Sequence, residues 1–227
     1  MESIRQRAIG RRRRRPVRDL DDAEAGGSEL HADEIFSRWA AVGIVVVHRT
    51  STYRTQTFER NGYVVVQRGG RYDVFARVIA HQMWRRLARR RSSSTATIEI
   101  WNGVPWFGPL WAPQRRVVWM HHVHRDMWAD VLPRPFDAAG RFLETRFAPM
   151  FYRRSAFATL SESSADEIER IGIDRARLAV IPPGVHERYT PDESVRSTHP
   201  TVVIVGRLAP VKRQRLALAA LAAARCQ

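Results

Sequence analysis

The sequence predicts an α/β fold built on a parallel sheet with helices on both faces. Two observations lead to this prediction. Short apolar runs rich in β-branched residues recur along the chain, and they alternate with stretches whose apolar residues repeat at helical spacing. Strands that are apolar on both faces are typical of parallel sheets, because helices cover both sides. In such a sheet the carboxyl ends of the strands share one edge, where ligands bind.

The first half of the chain shows this alternation clearly. Apolar residues at helical spacing predict a helix over 28–42, which Gly43 ends. A second helix is predicted over 73–91, with arginines on the face opposite its apolar residues. Apolar runs predict strands at 44–47 and 63–66.

The second half continues the pattern. Strands are predicted at 97–101, 117–120, 156–160, 178–181 and 201–205, and helices at 140–153, 164–172 and 211–224. Ser164 and Glu167 have the spacing of a capping box at the start of the helix over 164–172. The stretch 187–200 is polar and contains two prolines, which predicts a linker.

The positive charge of the chain is unevenly distributed. The 227 residues carry a formal net charge of +15, and 44% of them are hydrophobic, which is enough for a core. Residues 1–18 contain eight arginines and one glutamate, so they hold +7 of that charge. Only Lys212 is a lysine among the 38 basic residues, which indicates a coding bias rather than selection for phosphate contacts. The charge therefore permits nucleic-acid binding without establishing it.

Two simple counts exclude other classes of protein. Cys226 is the single cysteine, so an intramolecular disulfide and a cysteine-based metal site are excluded. No apolar run approaches the roughly 18 residues that span a bilayer. The basic start of the chain has no apolar stretch after it, so we expect no secretory signal.

Three histidines follow the strand predicted at 117–120. His121, His122 and His124 are therefore expected where an α/β active site lies. An imidazole titrates near neutral pH, so it can transfer a proton or hydrogen-bond a polar substrate. A zinc site is the alternative, but no third ligand follows at a recognisable spacing. Histidines that only cap loops fit the pattern equally well.

Two other loops contain candidate binding residues. Asn102 and Trp106 lie in an aromatic-rich turn after the strand at 97–101, where a ring could stack on a sugar or simply cover the sheet edge. Gly26 and Gly27 precede the first helix, whose N-terminus favours an anion. Two glycines before a helix are, however, more often a plain turn.

The loop after the strand predicted at 201–205 contains two cations. Gly206 permits a tight exit from the strand, and Arg207 and Lys212 lie at the start of the helix predicted over 211–224. Cations at a helix N-terminus suit a pyrophosphate. A solvated loop is the alternative interpretation.

Taken in order, these motifs resemble glycosyltransferase family 4 (group 1), a large family of nucleotide-sugar-dependent transferases with the GT-B fold. The resemblance covers residues 19–225. The matching strings are Glu-Ala-Gly-Gly-Ser-Glu (24–29), Asn-Gly-Val-Pro (102–105), His-His-Val-His-Arg (121–125), Ser-Glu-Ser-Ser (161–164), Ile-Pro-Pro-Gly-Val (181–185) and Gly-Arg-Leu-Ala-Pro-Val-Lys (206–212).

The resemblance implies a reaction class. A member of this family transfers a sugar from a nucleotide-sugar donor to a glycan or lipid-linked acceptor and retains the anomeric configuration. It implies no bound metal and no cofactor beyond the donor. A cytoplasmic location is expected, with peripheral contact at the inner membrane face as an option.

The resemblance also implies roles on the donor side. Gly26 and Gly27 look like the loop that faces the donor diphosphate and the transferred sugar. Arg207 and Lys212 look like the cations that neutralise the departing nucleotide diphosphate. Positive charge placed where negative charge develops is what such a leaving group requires.

The remaining roles belong to the reacting sugar and the acceptor. His121 looks like the histidine that lies beside the reacting sugar, with His122 and His124 next to it. Asn102 and Trp106 are expected to contact the acceptor or the sugar.

We expect four segments in the chain. An arginine-rich disordered tail (1–18) precedes a Rossmann-like GT-B N-terminal domain on the acceptor side (19–186), a linker (187–200) and the first strand and helix of a truncated second Rossmann-like domain (201–227). The family has a buried strand where this chain has its run of five arginines, and it has downstream glutamates, whereas no acidic residue follows Glu193 here. We therefore expect an incomplete enzyme that is inactive by itself.

The alternative functions belong to other classes. The arginine run 11–15 could be an arm on nucleic-acid phosphates, although a solvated tail is the favoured interpretation. The helix over 73–91, with Trp84 and its arginines, could lie on an anionic membrane. Membrane binding is compatible with a transferase that acts on a lipid-linked acceptor.

Overall fold

A computed structural model describes residues 20, 25–51, 55–70, 73–87, 96–111, 115–187, 189–192, 197–206, 208 and 212–225. The chain divides into two units, Met1–Ser94 and Thr95–Gln227. The predicted tail at 1–18 and the candidate cation Arg207 lie outside the described residues.

Unit 1 combines two helices with a small mixed sheet. Its elements in the described ranges are α1 (Gly27–Ala41), β1 (Val47–Thr50), β2 (Gln56–Arg60), β3 (Tyr63–Gln67) and α2 (Asp73–Leu87). β3 lies between the other two strands, parallel to β1 and antiparallel to β2. Phe36 of α1 packs edge-on against Tyr63 of β3, with ring centroids 5.6 Å apart, and both rings are buried.

The sheet of unit 1 differs from the prediction in two ways. The strand predicted at 44–47 begins only at Val47, because Val47 is the first residue in register with β3, opposite Val64. Val45 is 87% exposed. β2 was not predicted at all, since its sequence is mostly polar. It joins β3 through Asn61 and Gly62, which both have positive φ, as a two-residue hairpin turn of this type requires.

Unit 2 contains the parallel sheet that the sequence predicts. The described strands are β4 (Thr97–Trp101), β5 (Arg116–Met120), β6 (Ala156–Thr159) and β7 (Leu178–Val180), in that order and all parallel. The helices are α3 (Gly108–Trp111), α4 (Trp128–Val131), α5 (Phe136–Phe142), α6 (Pro149–Tyr152), α7 (Glu162–Arg170) and α8 (Gln214–Arg225). The segment Leu143–Phe147 between α5 and α6 is π-helical. The α/β fold with a parallel sheet flanked by helices is thus confirmed.

The core of unit 2 lies between this sheet and its helices. Trp101 and Phe157 from the strands pack with Tyr152 of α6 and Ile168 of α7. The rings of Trp101 and Tyr152 are 4.7 Å apart between centroids. Burial of each such side chain contributes about 1.5–3 kcal/mol to folding.

Two predicted elements of unit 2 need correction. The cap of α7 is Ser161, not Ser164, because the Ser161 hydroxyl accepts the backbone N–H of Ser164 at 3.2 Å. The prediction of a strand at 201–205 is wrong. These residues form no strand with any described segment, and Val205 is 91% exposed. β-branched residues favour a strand only where a neighbouring strand pairs with them.

No helix in the described part of the chain combines the length and the apolar character needed to cross a bilayer.

Candidate functional site

The three histidines lie at the carboxyl edge of the parallel sheet, as predicted. They follow directly after β5, whose last residue, Met120, is fully buried. His121 stacks on Trp119 with ring centroids 5.2 Å apart. His122 and His124 contact each other, with ring centroids 4.7 Å apart. Buried Val123 anchors the loop between them.

A buried carboxylate holds this histidine loop in place. Glu144, in the π-helical segment, accepts the backbone N–H groups of His124 and Arg125 at 3.1 and 3.2 Å. It also accepts the indole N–H of Trp128 at 2.8 Å. Its Oε1 lies 3.2 Å from Nδ1 of His124. The loop conformation is therefore fixed from a neighbouring helical segment, because these donors all converge on one side chain.

Trp128 connects the histidine loop to the Asn-Gly loop after β4. Its ring packs on two glycines: a Cβ at Gly103 would lie 3.2 Å from the ring, and one at Gly140 would lie 2.6 Å from it. The same Cβ at Gly103 would lie 3.6 Å from Cε1 of His124. The structure thus brings the candidate loop at 102–105 next to His124, and a side chain at Gly103 would crowd the ring of Trp128.

His122 is the histidine whose titration the structure perturbs most clearly. Burial lowers the pKa of His122, and the neighbouring His124 lowers it further. The charges of Glu144 and Glu167 raise it, while the ammonium of Lys212 lowers it. Nε2 of His122 is buried and has no hydrogen-bond partner among the described residues. Two candidates from separate motifs, His122 and Lys212, therefore lie within electrostatic range of each other.

Trp106 and Asn102 are partly engaged by the fold itself. The indole N–H of Trp106 donates to the carbonyl of Ile100 at 3.1 Å, and its backbone N–H donates to Glu99 at 2.8 Å. Asn102 forms an isolated bridge with Val104. The ring of Trp106 is half-buried, and a sugar contact stays a prediction.

Glu99 forms a second buried polar centre beneath that loop. It accepts the phenol of Tyr152, and burial raises the pKa of the Glu99 carboxyl. The side chain of Glu99 occupies the space that a Cβ on Gly108 would need. This cluster supports the loop from β4 to α3.

The glycine loop belongs to unit 1 and is described by itself. Gly26 caps α1, and its N–H donates to Oε2 of Glu29 at 2.9 Å. The hydroxyl of Ser28 donates to the same oxygen at 2.9 Å. Gly27 is exposed, and a Cβ there would meet nothing within 4 Å. The N-terminus of α1 is thus open, but a carboxylate already lies beside it.

The comparison with protein families decides the identity. The sequence model of the family described as Glycosyltransferase Family 4 matches residues 25–189, well over half of the chain. The chain belongs to Glycosyltransferase Family 4. The matched residues contain the four-stranded parallel sheet, and the domain of this family is a Rossmann-like GT-B domain. No curated protein and no solved structure matches the chain.

In this glycosyltransferase domain, sequence reasoning missed Glu144 and Trp128. Neither lies in one of the short motifs, and Glu144 is 20 residues away from the loop that it holds. The available signal was an acidic residue inside a mostly apolar helical stretch, since an acid at a buried position must have partners.

Within the described ranges of this glycosyltransferase, no three His, Cys, Asp or Glu side chains are grouped as a metal site.

Proposed function

We propose that this chain supplies the acceptor-side domain for retaining transfer of a sugar from a nucleotide-sugar donor to a glycan or lipid-linked acceptor. The single observation that carries the proposal is the grouping of the three histidines and the Asn-Gly loop at the carboxyl edge of the parallel sheet in unit 2, where the charge of Lys212 also acts on His122. Family membership gives the class of reaction, and this grouping supports the location of the site.

The chemistry of the leaving group assigns a role to Lys212. Cleavage of the bond between sugar and diphosphate places negative charge on the departing diphosphate, and a fixed cation stabilises that charge. Lys212 is exposed and therefore accessible to a diphosphate. Arg207, outside the described residues, is the second proposed cation. With two cations available, the proposed reaction needs no bound metal.

The histidines suit the sugar rather than the diphosphate. Uncharged imidazoles exchange hydrogen bonds with hydroxyl groups, and the lowered pKa of His122 keeps this ring neutral at physiological pH. We assign His121, His122 and His124 to the reacting sugar. Gly26 and Gly27 are proposed to face the donor diphosphate.

An NMR titration tests the proposal. The 227-residue chain, labelled with 15N at histidine, is titrated with uridine and guanosine diphosphate sugars, and the imidazole signals of the three histidines are followed. We expect one donor class to shift these signals. Lys212→Gln should weaken that binding about tenfold, since it removes a charge-assisted contact.

The matched control for this titration is Arg215→Gln, which removes a cation from the exposed side of α8. It should bind the donor as the wild type does. Equal weakening by both variants would mean that net charge alone attracts the nucleotide. Absence of any imidazole response to both donor classes would contradict the proposal.

Peripheral membrane contact is a second candidate because of one surface feature. α2 exposes Met83 and Trp84, which are 52% and 54% accessible. An exposed tryptophan on a basic helix suits a membrane interface. We expect the chain to float with vesicles that contain anionic lipid, and Trp84→Ala to reduce the bound fraction. Tyr189→Ala, at another exposed aromatic residue, is the control.

A further inference from the structure

Glu144 is a fully buried acidic residue that the proposed reaction does not use. Its exposure is 0%. Burial of an ionised carboxylate is costly unless several hydrogen bonds satisfy it. The hydrogen-bond donors around Glu144 must therefore compensate for the cost of its burial.

Those partners all belong to the segment that follows β5. Two consecutive backbone N–H groups, of His124 and Arg125, and the indole N–H of Trp128 point at the carboxylate. Each of the three groups can only donate, so the carboxylate acts as an acceptor toward all of them. Both of its oxygens are engaged in this way.

The fourth contact sets the protonation of an imidazole ring. Nδ1 of His124 lies 3.2 Å from Oε1 of Glu144. Because the carboxylate accepts, Nδ1 must carry the hydrogen. In neutral His124 the lone pair then lies on Nε2. A carboxylate that orients an imidazole through Nδ1–H is a common way of fixing which ring nitrogen is available for chemistry.

We propose that Glu144 is a positioning residue that keeps neutral His124 in the Nδ1–H tautomer, so that Nε2 accepts a hydrogen bond from a hydroxyl of the transferred sugar. The inference rests on the proposed function, since that function supplies the sugar. It adds the recognition chemistry: the site takes a hydroxyl donor at His124.

His122 is a natural companion in this role. Its ring lies against that of His124, with centroids 4.7 Å apart, and its buried Nε2 has no hydrogen-bond partner in the described part of the chain. The groups whose charges act on His122 are His124, Glu144, Glu167 and Lys212. A polar ligand that reaches this pair would satisfy a nitrogen that the fold leaves unsatisfied.

Substitution by glutamine separates positioning from simple support of the loop. Glutamine has the shape of glutamate and still offers one accepting oxygen, but its other terminal atom is an NH2 donor. With the oxygen toward the Arg125 and Trp128 donors, the NH2 faces Nδ1 of His124. That nitrogen must then accept, which moves the hydrogen to Nε2.

The first experiment is an NMR measurement that needs no ligand. Long-range 1H–15N correlation spectra assign the tautomer of each imidazole in the 227-residue chain at a pH where the rings are neutral. We expect the Nδ1–H tautomer for His124 in the wild type and the Nε2–H tautomer in Glu144→Gln. Glu169→Gln, on the exposed side of α7, removes the same charge and should leave the tautomer unchanged.

The wild-type spectrum tests the inference even if Glu144→Gln fails to fold. An Nε2–H tautomer of His124 in the wild type overturns the inference. An unchanged Nδ1–H tautomer in folded Glu144→Gln overturns it as well, because the carboxylate would then not be what fixes the ring.

The second experiment separates this inference from the proposed function. Addition of the bound nucleotide sugar should shift the Nε2 signal of His124 in the wild type, and Glu144→Gln should weaken binding about tenfold, as the loss of one hydrogen bond does. Binding without a response at Nε2 overturns the sugar contact and leaves the proposed function standing. No binding, together with an Nδ1–H tautomer, overturns the proposed function and the sugar contact but not the control of the tautomer by Glu144.

Discussion

The phenol of Tyr63 donates a 2.7 Å hydrogen bond to Oδ1 of Asp33. Both residues are buried, and the amide of Asn61 reaches the same carboxylate at 3.2 Å. This contact joins the middle of α1 to the hairpin of β2 and β3. Burial raises the pKa of the Tyr63 phenol, so the phenol stays protonated and keeps donating across the physiological range.

Tyr63→Phe should destabilise unit 1. The substitution preserves the ring that packs on Phe36 but leaves Asp33 without its closest donor. Removal of one partner from a buried acceptor costs about 1–3 kcal/mol in the free energy of unfolding. Urea denaturation measures the loss. Tyr189→Phe removes a hydroxyl from an exposed ring and is the matched control. Equal stability of the two variants would show that water replaces the lost donor.

Gly140→Ala should disturb the histidine loop without touching a histidine. A Cβ there would lie 2.6 to 2.9 Å from three atoms of the Trp128 ring. The ring must shift, which strains its 2.8 Å bond to Glu144 and costs about 1–3 kcal/mol. The indole N–H resonance of Trp128 and the urea midpoint report the two effects. At Gly184 a Cβ would meet nothing within 4 Å, so Gly184→Ala should change neither quantity.

Glu29→Gln should strengthen donor binding if the diphosphate approaches the glycine loop. The Glu29 carboxylate lies at the N-terminus of α1, where it repels an incoming anion. Its neutralisation should tighten donor binding a few-fold, while loss of its favourable interaction with the helix dipole costs about 0.3–1 kcal/mol of stability. Calorimetric titration with the donor measures the affinity. Glu34→Gln, five residues further along α1, should not affect it. Unchanged affinity in Glu29→Gln would place the diphosphate elsewhere.

His122 should make the stability of unit 2 depend on pH. Burial lowers its pKa below the ordinary value of 6.5, so the folded state binds fewer protons than the unfolded state below that pH. The free energy of unfolding therefore falls as the pH drops through this window, by at most about 1.4 kcal/mol per pH unit for one group. Urea titrations between pH 7 and pH 5 should show a smaller decline in His122→Gln.

Two other histidines define the controls for this measurement. His31 in unit 1 also has a pKa lowered by burial, so part of the decline should persist in His122→Gln. His199 is exposed, and His199→Gln should retain the full decline. If the free energy of unfolding of His122→Gln falls as much between pH 7 and pH 5 as that of the wild type, the assignment of the effect to His122 is contradicted.

The sequence predicts a strand most readily where a run of apolar residues is largely buried. The apolar run at 117–120 becomes β5, in which Val118, Trp119 and Met120 are buried and Val117 is 38% exposed. β2 was missed because one face is solvated and Phe58 is its only large apolar residue, although Asn61 and Gly62 carried a readable hairpin signal. The run at 201–205 shows the opposite error, since a strand requires a neighbour that local sequence does not reveal.

The residues of the candidate site likewise divide into those that the sequence predicts and those that only the packed structure reveals. His121, His122 and His124 could be predicted from their place directly after a buried strand. The role of Glu144 could not, because the carboxylate approaches from a segment about 20 residues later, and only the packed structure brings them together. The role of Trp128 could not be predicted for a similar reason: its ring fits between Gly103, in the loop after β4, and Gly140, in α5, which lie on either side of it in the sequence.

The exposed residues 202–205 affect how the protein behaves at high concentration. Four consecutive exposed β-branched side chains that pair with no described strand are a template for intermolecular pairing, and the uncharged segment itself offers nothing that opposes it. Dispersal of the molecules must then depend on long-range repulsion between copies, each of which carries a net charge of +15. Because salt screens that repulsion over about 10 Å at 0.1 M, ionic strength controls the colloidal state of this chain.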